Sequence, residues 1–324
     1  MDEFSASAFL PNDLGNGMVV VTGATGWFGR TALHELQRML GPESFSRRVR
    51  PFASRTRTIP STGFADGVER AIPVAPLAEL PELAAREPIE ALLHTAFLTR
   101  EYVERVGVDA YISVNRGITD LVCRSLEAAS SARVVLISSG AAAALDDVAC
   151  LEDHLHADPY GVLKSEEERR LSEIADTLVL RAYAVSGRFM RDPEQFALGD
   201  FLLRALAGLP IAIKAPMPVI RGYGHAGDMV NLGFRWLWSE QLPPAHPIAA
   251  VSQQVELLEL ASLISSLYDL SPASSAIDAS LSLNRYTADP GIYVNMLHAL
   301  GIVPRSLEEQ IFDTACGLKV LQGS

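Results

Sequence analysis

A short apolar run at 18–22, Met-Val-Val-Val-Thr, leads without a break into Thr22-Gly23-Ala24-Thr25-Gly26-Trp27-Phe28-Gly29-Arg30 and then into an amphipathic stretch over 30–39. Strand, glycine turn and helix follow one another there with no room for other structure. Each glycine has a separate task in such a turn: Gly23 permits the tight bend, Gly26 lets the main chain approach a pyrophosphate, and Gly29 lets helix and strand pack closely. A TGxxGxxG pattern alone is a weak signal. Between an apolar strand and a helix it has the context that a dinucleotide site requires. Gly23, Thr25, Gly26, Trp27, Phe28 and Gly29 are therefore candidate cofactor contacts.

The first half of the chain keeps this alternation. Apolar runs at 18–22, 49–54, 71–74, 91–96 and 133–138 read as buried strands, with helical patterns such as 30–39 and 111–129 between several of them. The fold class predicted is α/β, a doubly wound parallel (Rossmann) sheet. Further strands are expected at 178–183 and 247–251. The intervening and following residues are richer in Gly, Pro and Arg, which predicts a smaller, interleaved C-terminal substrate domain. The division is a leader over 1–16, a nucleotide-binding domain over 17–182 with the strand near 247–251, and a substrate-binding region over 183–324.

Charge and cysteine usage narrow the partners. A net charge of −12 argues against a nucleic-acid or anionic-membrane surface, either of which needs a basic patch. No apolar run approaches the roughly 18–20 residues that cross a bilayer. Cys123, Cys150 and Cys316 are scattered and show no CxxC spacing, which suits a reducing cytoplasm. His154 and His156 lack a third ligand at motif spacing, so no metal is expected.

The end of the second strand discriminates between dinucleotides. A carboxylate there accepts from a ribose 2′-OH, whereas a 2′-phosphate needs cations and hydroxyls. Val49-Arg50-Pro51-Phe52-Ala53-Ser54-Arg55-Thr56-Arg57 contains no acid. NADP(H) is thus the expected cofactor, held through Ser54 and Arg55, with Arg57 or Arg30 assisting.

Catalytic chemistry is suggested by Asp158-Pro159-Tyr160-Gly161-Val162-Leu163-Lys164, just before a helical stretch at 165–174. Only Lys164, Lys214 and Lys319 are lysines among the 27 basic residues. With eight tyrosines and three lysines, chance would give Tyr-x-x-x-Lys about 0.07 times in such a chain. Residues four apart share a helix face. Bringing a tyrosine from a pKa of about 10 to about 7 takes ~4 kcal/mol, and a cation ~4 Å away at an effective dielectric near 20 supplies about that much. Tyr160 would then exchange a proton with a hydroxyl or carbonyl at neutral pH.

Taken together, these motifs resemble the extended short-chain dehydrogenase/reductases, which include nucleotide-sugar epimerases, dehydratases and 4-ketoreductases. The resemblance extends through Leu93-His94-Thr95-Ala96, Val114-Asn115-Arg116-Gly117, Val134-Val135-Leu136-Ile137-Ser138-Ser139, Leu180-Arg181 and Leu300-Gly301-Ile302-Val303-Pro304. It implies a triad in which Ser139 holds the substrate oxygen, Tyr160 is the acid or base, and Lys164 lowers the Tyr160 pKa and holds the nicotinamide ribose. Ser138 is the alternative serine. It also implies that Ala96 lines the cofactor, and that helix 111–129 and the helix after Tyr160 pair across a two-fold axis in a homodimer.

The segment Arg221-Gly222-Tyr223-Gly224-His225-Ala226-Gly227-Asp228 looks like the R-x-Y-x-H-x-x-D stretch of nucleotide-sugar enzymes, in which the Arg and Tyr positions contact the nucleotide diphosphate. Arg221 and Tyr223 are accordingly the candidate substrate contacts, and His225 and Asp228 are read as holding the loop together. An ion pair of Arg221 with Asp228 or another acid is the competing reading for the arginine. Three departures stand out. Gly140-Ala141-Ala142-Ala143 replaces the Asp-Glu pair of the 4,6-dehydratases, Ala184 stands where many epimerases have asparagine, and the adenine-side Asp is missing around Val74-Ala75-Pro76-Leu77. The expectation is a cytoplasmic NADP(H)-dependent reductase of a keto group on a nucleotide-linked sugar. A sugar epimerase, a small ketone or aldehyde reductase, and a non-catalytic NADP-sensing protein are the alternatives.

Overall fold

The computed structural model describes residues 17–129, 132–278 and 280–322. The expected leader, 1–16, lies outside the described residues. In chain order the elements begin with β1 (Met18–Thr22), α1 (Trp27–Arg48), β2 (Val49–Ala53), β3 (Arg57–Pro60), β4 (Ala71–Pro76), α2 (Leu80–Ala84) and β5 (Ile89–His94). They continue with α3 (Tyr102–Val106), α4 (Val108–Ala128), β6 (Arg133–Ser139), α5 (Pro159–Ile174) and β7 (Thr177–Ala182). Next come β8 (Ala184–Ser186), α6 (Ala197–Leu206), β9 (Ala212–Ile213), β10 (Val219–His225), α7 (Ala226–Leu237) and β11 (Ile248–Ala249). The chain ends with β12 (Gln253–Glu256), α8 (Leu257–Leu267), β13 (Ser274–Ser275), β14 (Asn284–Tyr286), α9 (Gly291–Ala299) and α10 (Leu307–Gln322).

Two compact units divide these elements. The first takes the chain as far as Arg181 together with Val230–Ile248, and the second takes Ala182–Met229 and everything from Ala249 onward. The first is built on an eight-stranded sheet in the order β11-β7-β6-β5-β1-β2-β4-β3. β1 runs parallel to both β2 and β5, and β4 and β6 extend the parallel set on either side. Val19, Val20, Val21, Leu92, Leu93 and Val134 to Leu136 are fully buried. Strands covered on both faces read as continuous apolar runs, which is why periodicity found them. Leu80 on α2, Val122 and Leu126 on α4 and Leu171 on α5 close one face of this core.

Three elements depart from the sequence reading, each for a local reason. The first helix runs past 39, but Gly41 has φ 67 and Pro42 follows, so the chain breaks and restarts within the span. The segment after Arg55 is no simple loop: it turns back as β3, antiparallel to β4, with only Ile59 buried, the pattern of a short edge strand. The helix expected at 165–174 starts at Pro159, because the Asp158 side chain accepts from Gly161 N at 3.2 Å and Pro159 occupies the first turn. Asp followed by Pro is a helix-start signal.

The second unit centres on a small sheet of β12, β10 and β14, with β8 also paired to β10. β10 is antiparallel to β12 and parallel to β14. It carries the Arg221 to His225 segment straight into α7.

Candidate active site

The glycine turn is shaped by close approach. Gly23 has φ +66, and a Cβ there would lie 2.6 Å from Thr95 Oγ1 and 2.7 Å from Ala96 N, because Thr95 Oγ1 donates to Thr22 O at 2.7 Å and ties the ends of β1 and β5 together. A Cβ on Gly29 would lie 2.1 Å from Gly23 O, so this glycine is required by helix–strand packing. Gly26 is less confined, its nearest neighbour being Gly23 O at 3.2 Å. It is the N-cap of α1, no side chain caps that end, and the first turn holds no acid. Backbone donors and the positive end of the helix dipole suit an anion there. A dinucleotide pyrophosphate fits this cradle.

Thr25, Trp27 and Phe28 are half-buried on the same turn, with the two rings stacked at 6.4 Å. Ala96 is likewise half-buried, beside Gly23. Ser54 and Arg55 are exposed immediately after β2.

Ser138 and Ser139, adjacent at the end of β6, point to opposite sides as strand residues must. Ser138 is buried and donates to Glu168 Oε1. Ser139 shares a side-chain hydrogen bond with Tyr160 and accepts from Ala141 N at 3.2 Å. Tyr160 stands in the first turn of α5, its ring edge-on to Phe97 at 5.9 Å and covered by the Arg100 guanidinium at 5.2 Å. Burial holds the Tyr160 phenol above its ordinary pKa, and the Ser139 hydrogen bond and the Arg100 charge offset only part of that.

Lys164 is one turn further along and buried. Its Nζ donates to Glu167 Oε2 at 2.9 Å and to Ile137 O at 3.3 Å, and lies 3.9 Å from the centre of the Phe97 ring. The cation set against the Tyr160 ring is thus Arg100, while the Lys164 ammonium is engaged by a carboxylate. Motif reading did not single out Arg100 or Glu167. Glu167 is 0% exposed, and its other oxygen meets His94 Nε2 at 3.0 Å. Beside it, Glu168 binds Arg181 through distances of 2.6–3.2 Å, and Arg181 reaches on to Asp146 at 2.6 and 2.7 Å. Asp146 and Glu168 keep the Arg181 guanidinium well above its usual pKa against the effect of burial.

The remaining candidates belong to the second unit. Arg221 donates to Ile220 O, Asn284 O and Asn284 Oδ1 at 3.0, 3.4 and 2.9 Å. The alternative pairing of Arg221 with Asp228 does not form, since Asp228 is taken by the Arg305 side chain and backbone. Tyr223 is 3% exposed, and burial raises its phenol pKa. His225 bridges Gly227 N and Asp313 at 3.0 Å each, a loop-holding role like that of Asp228. His156 is exposed and 3.3 Å from Asp109. Among the described residues no group of three His, Cys, Asp or Glu could hold a metal ion, and no helix is long and apolar enough to cross a membrane.

The model of the NAD dependent epimerase/dehydratase family matches residues 19–242. No curated protein matches the chain by sequence. Solved structures that resemble it include MoeE5 in complex with UDP-glucose and NAD, 22% identical with a TM-score of 0.66 over 94% of this chain and 100% of that one. UDP-glucose 4-epimerase from Thermotoga maritima is 18% identical, with a TM-score of 0.67 over 94% and 99%. UDP-N-acetylglucosamine 4-epimerase from Methanobrevibacter ruminantium, in complex with UDP-N-acetylmuramic acid, is 16% identical, with a TM-score of 0.69 over 94% and 99%. At these identities the likeness establishes the fold, a mixed α/β Rossmann-like architecture, and the family match covers well over half the sequence. The chain belongs to the NAD-dependent epimerase/dehydratase family, enzymes of the short-chain dehydrogenase/reductase type.

Proposed function

We propose that this protein is an NADP(H)-dependent oxidoreductase that reduces a keto group of a nucleotide-linked sugar. The observation that carries the reading is the Ser139–Tyr160 hydrogen bond between the end of β6 and the start of α5. A hydroxyl pair of this kind holds a carbonyl oxygen and supplies its proton. The bound dinucleotide supplies the hydride. Ser139 orients the substrate oxygen, Tyr160 gives up or takes the proton, and Lys164 holds the nicotinamide ribose. The 3-10 turn Gly140–Leu145 contains no acid, so the extra acid and base of an elimination are missing where the dehydratases place them. Ser54 and Arg55, exposed where β2 ends without a carboxylate, support a 2′-phosphate.

The nucleotide-sugar part of the reading draws on the ligands of the similar structures, UDP-glucose and UDP-N-acetylmuramic acid, and on Arg221, whose partners are carbonyl oxygens rather than carboxylates. A thermal-shift and titration panel tests both parts. NADPH is expected to bind at least ~10-fold tighter than NADH, a difference of ~1.4 kcal/mol, and Arg55→Ala to remove most of that difference while leaving NADH binding nearly unchanged. One of UDP, TDP, GDP or CDP should stabilise the NADPH-bound protein further. Equal cofactor affinities would overturn the NADP assignment, and a panel with no nucleotide effect would favour a small-ketone reductase. Epimerisation by the same three residues is the second reading, favoured by the epimerases among the similar structures. Turnover without net cofactor oxidation would select it.

The reading includes a cytoplasmic setting, supported by the three unpaired cysteines, and a homodimer through α4 and α5. Two pairs of charges on these helices are formed within the chain, Arg116 with Glu166 and Arg170 with Asp120, each at 2.7 Å, and Val114 is 44% exposed beside them. Sedimentation equilibrium at micromolar concentration is expected to give a dimer, and a monomer alone would overturn this assembly.

A further inference from the structure

Glu167 is a buried carboxylate that the catalytic scheme does not use, and the network around it is directional. Thr22 Oγ1 accepts from Thr95 N at 3.2 Å and Ala96 N at 3.4 Å, so its own proton goes to His94 Nδ1, 2.6 Å away. That makes Nδ1 the acceptor and Nε2 the N–H of the His94 ring. Nε2 then donates to Glu167 Oε1 at 3.0 Å, and Lys164 Nζ donates to Glu167 Oε2 at 2.9 Å. The carboxylate is pinned from both sides. Burial raises its pKa, but Lys164 and then His94 outweigh that and keep it ionised below the ordinary range.

The ammonium is equally fixed. Its contacts with Glu167, Ile137 O and the face of Phe97 hold it in place. Seen from Tyr160, Lys164 and Glu167 are therefore a short dipole rather than a bare cation. The other groups facing the phenol are Ser139 from β6, Arg100 and Glu101 from the segment before α3, and Tyr111 from α4. Asp158, at the N-cap of α5, holds Arg100 at 3.3 Å. Cys123 on α4 also faces Glu167.

We propose that Glu167 is a positioning residue for the reaction: anchored by His94 and Thr22, it aims the Lys164 ammonium and offsets that charge at Tyr160, leaving Ser139 and Arg100 to stabilise the phenolate. This rests on Tyr160 being the acid/base group. Its test is a titration that needs no substrate, so it can fail separately from that reading.

The ultraviolet absorbance of phenolate, taken as wild type minus Tyr160→Phe, gives the midpoint of Tyr160 alone. Glu167→Gln keeps the size and one of the two accepted hydrogen bonds, removes the negative charge, and should lower that midpoint by roughly one pH unit. The pH profile for alcohol oxidation, which needs the phenolate, should move to lower pH with it. A merely structural Glu167 would change stability and leave the midpoint where it was. An unchanged or raised midpoint overturns the proposal. Should Glu167→Gln fail to fold, Lys164→Met/Glu167→Leu removes both charges and leaves no buried ion alone. That double variant is expected to keep the wild-type midpoint, whereas Lys164→Met alone raises it. A double variant whose midpoint rises as far as that of Lys164→Met overturns the proposal equally.

Discussion

Tyr160→Phe is expected to lower turnover by about 10²-fold or more, the usual scale for losing a positioned acid or base, while cofactor affinity stays nearly unchanged. The substitution removes one oxygen. The ring keeps its edge contact with Phe97 and its place under Arg100, and the N-cap of α5 is made by Asp158, which the change does not touch. Among the described residues the loss falls on Ser139, which retains the backbone N–H of Ala141. Steady-state kinetics and an NADPH titration on the same preparation check both halves. Near-full activity of Tyr160→Phe on a true substrate would remove the phenol from the mechanism.

Arg181→Met is expected to have the largest effect on stability, a loss of about 3–5 kcal/mol, because it leaves the buried Glu168 carboxylate without its cation. The guanidinium side chain is 7% exposed and that of Glu168 6%, so water cannot replace the lost partner. Asp146, on the other side of the same guanidinium, is 51% exposed, and Asp146→Ala should cost far less, within the range of surface pairs, about 0–1 kcal/mol. Urea unfolding followed by circular dichroism distinguishes the two. Equal losses for both variants would show that burial is not what makes the Glu168 pairing matter.

The parts of the site that were legible in the sequence are those whose geometry is local. Strand β1, the glycine turn and α1 are contiguous, and Tyr160 and Lys164 sit one helical turn apart, so spacing alone puts them on one helix face. Adjacent serines were ambiguous for the same reason that strands alternate: one of the pair must face each way, and only the partners Glu168 and Tyr160 show which is which. The competing pairing of Arg221 with Asp228 failed because β10 runs extended into α7. At ~3.3 Å per residue, Arg221 is carried well away from the first turn of the helix. Arg100 over Tyr160 and His94 against Glu167 were invisible, because the partners come from distant segments and no periodicity marks them. Glu166, Glu167 and Glu168 in succession have the composition of a solvated face, yet two of the three are buried.

Those three glutamates have a mechanical consequence for α5. Successive helical residues point about 100° apart, and each of the three meets a different partner on another element: Glu166 takes Arg116 on α4, Glu167 takes His94 on β5, and Glu168 takes Arg181 on β7. Turning the helix by one residue would present every carboxylate to the wrong partner at once and strand two of them inside the core. α5 is in effect a key with three cuts, locked in azimuth as well as in place. Any rearrangement around Tyr160 must then come from the segments that carry Phe97 and Arg100 and that follow Ser139, while the axis bearing Tyr160 and Lys164 stays fixed.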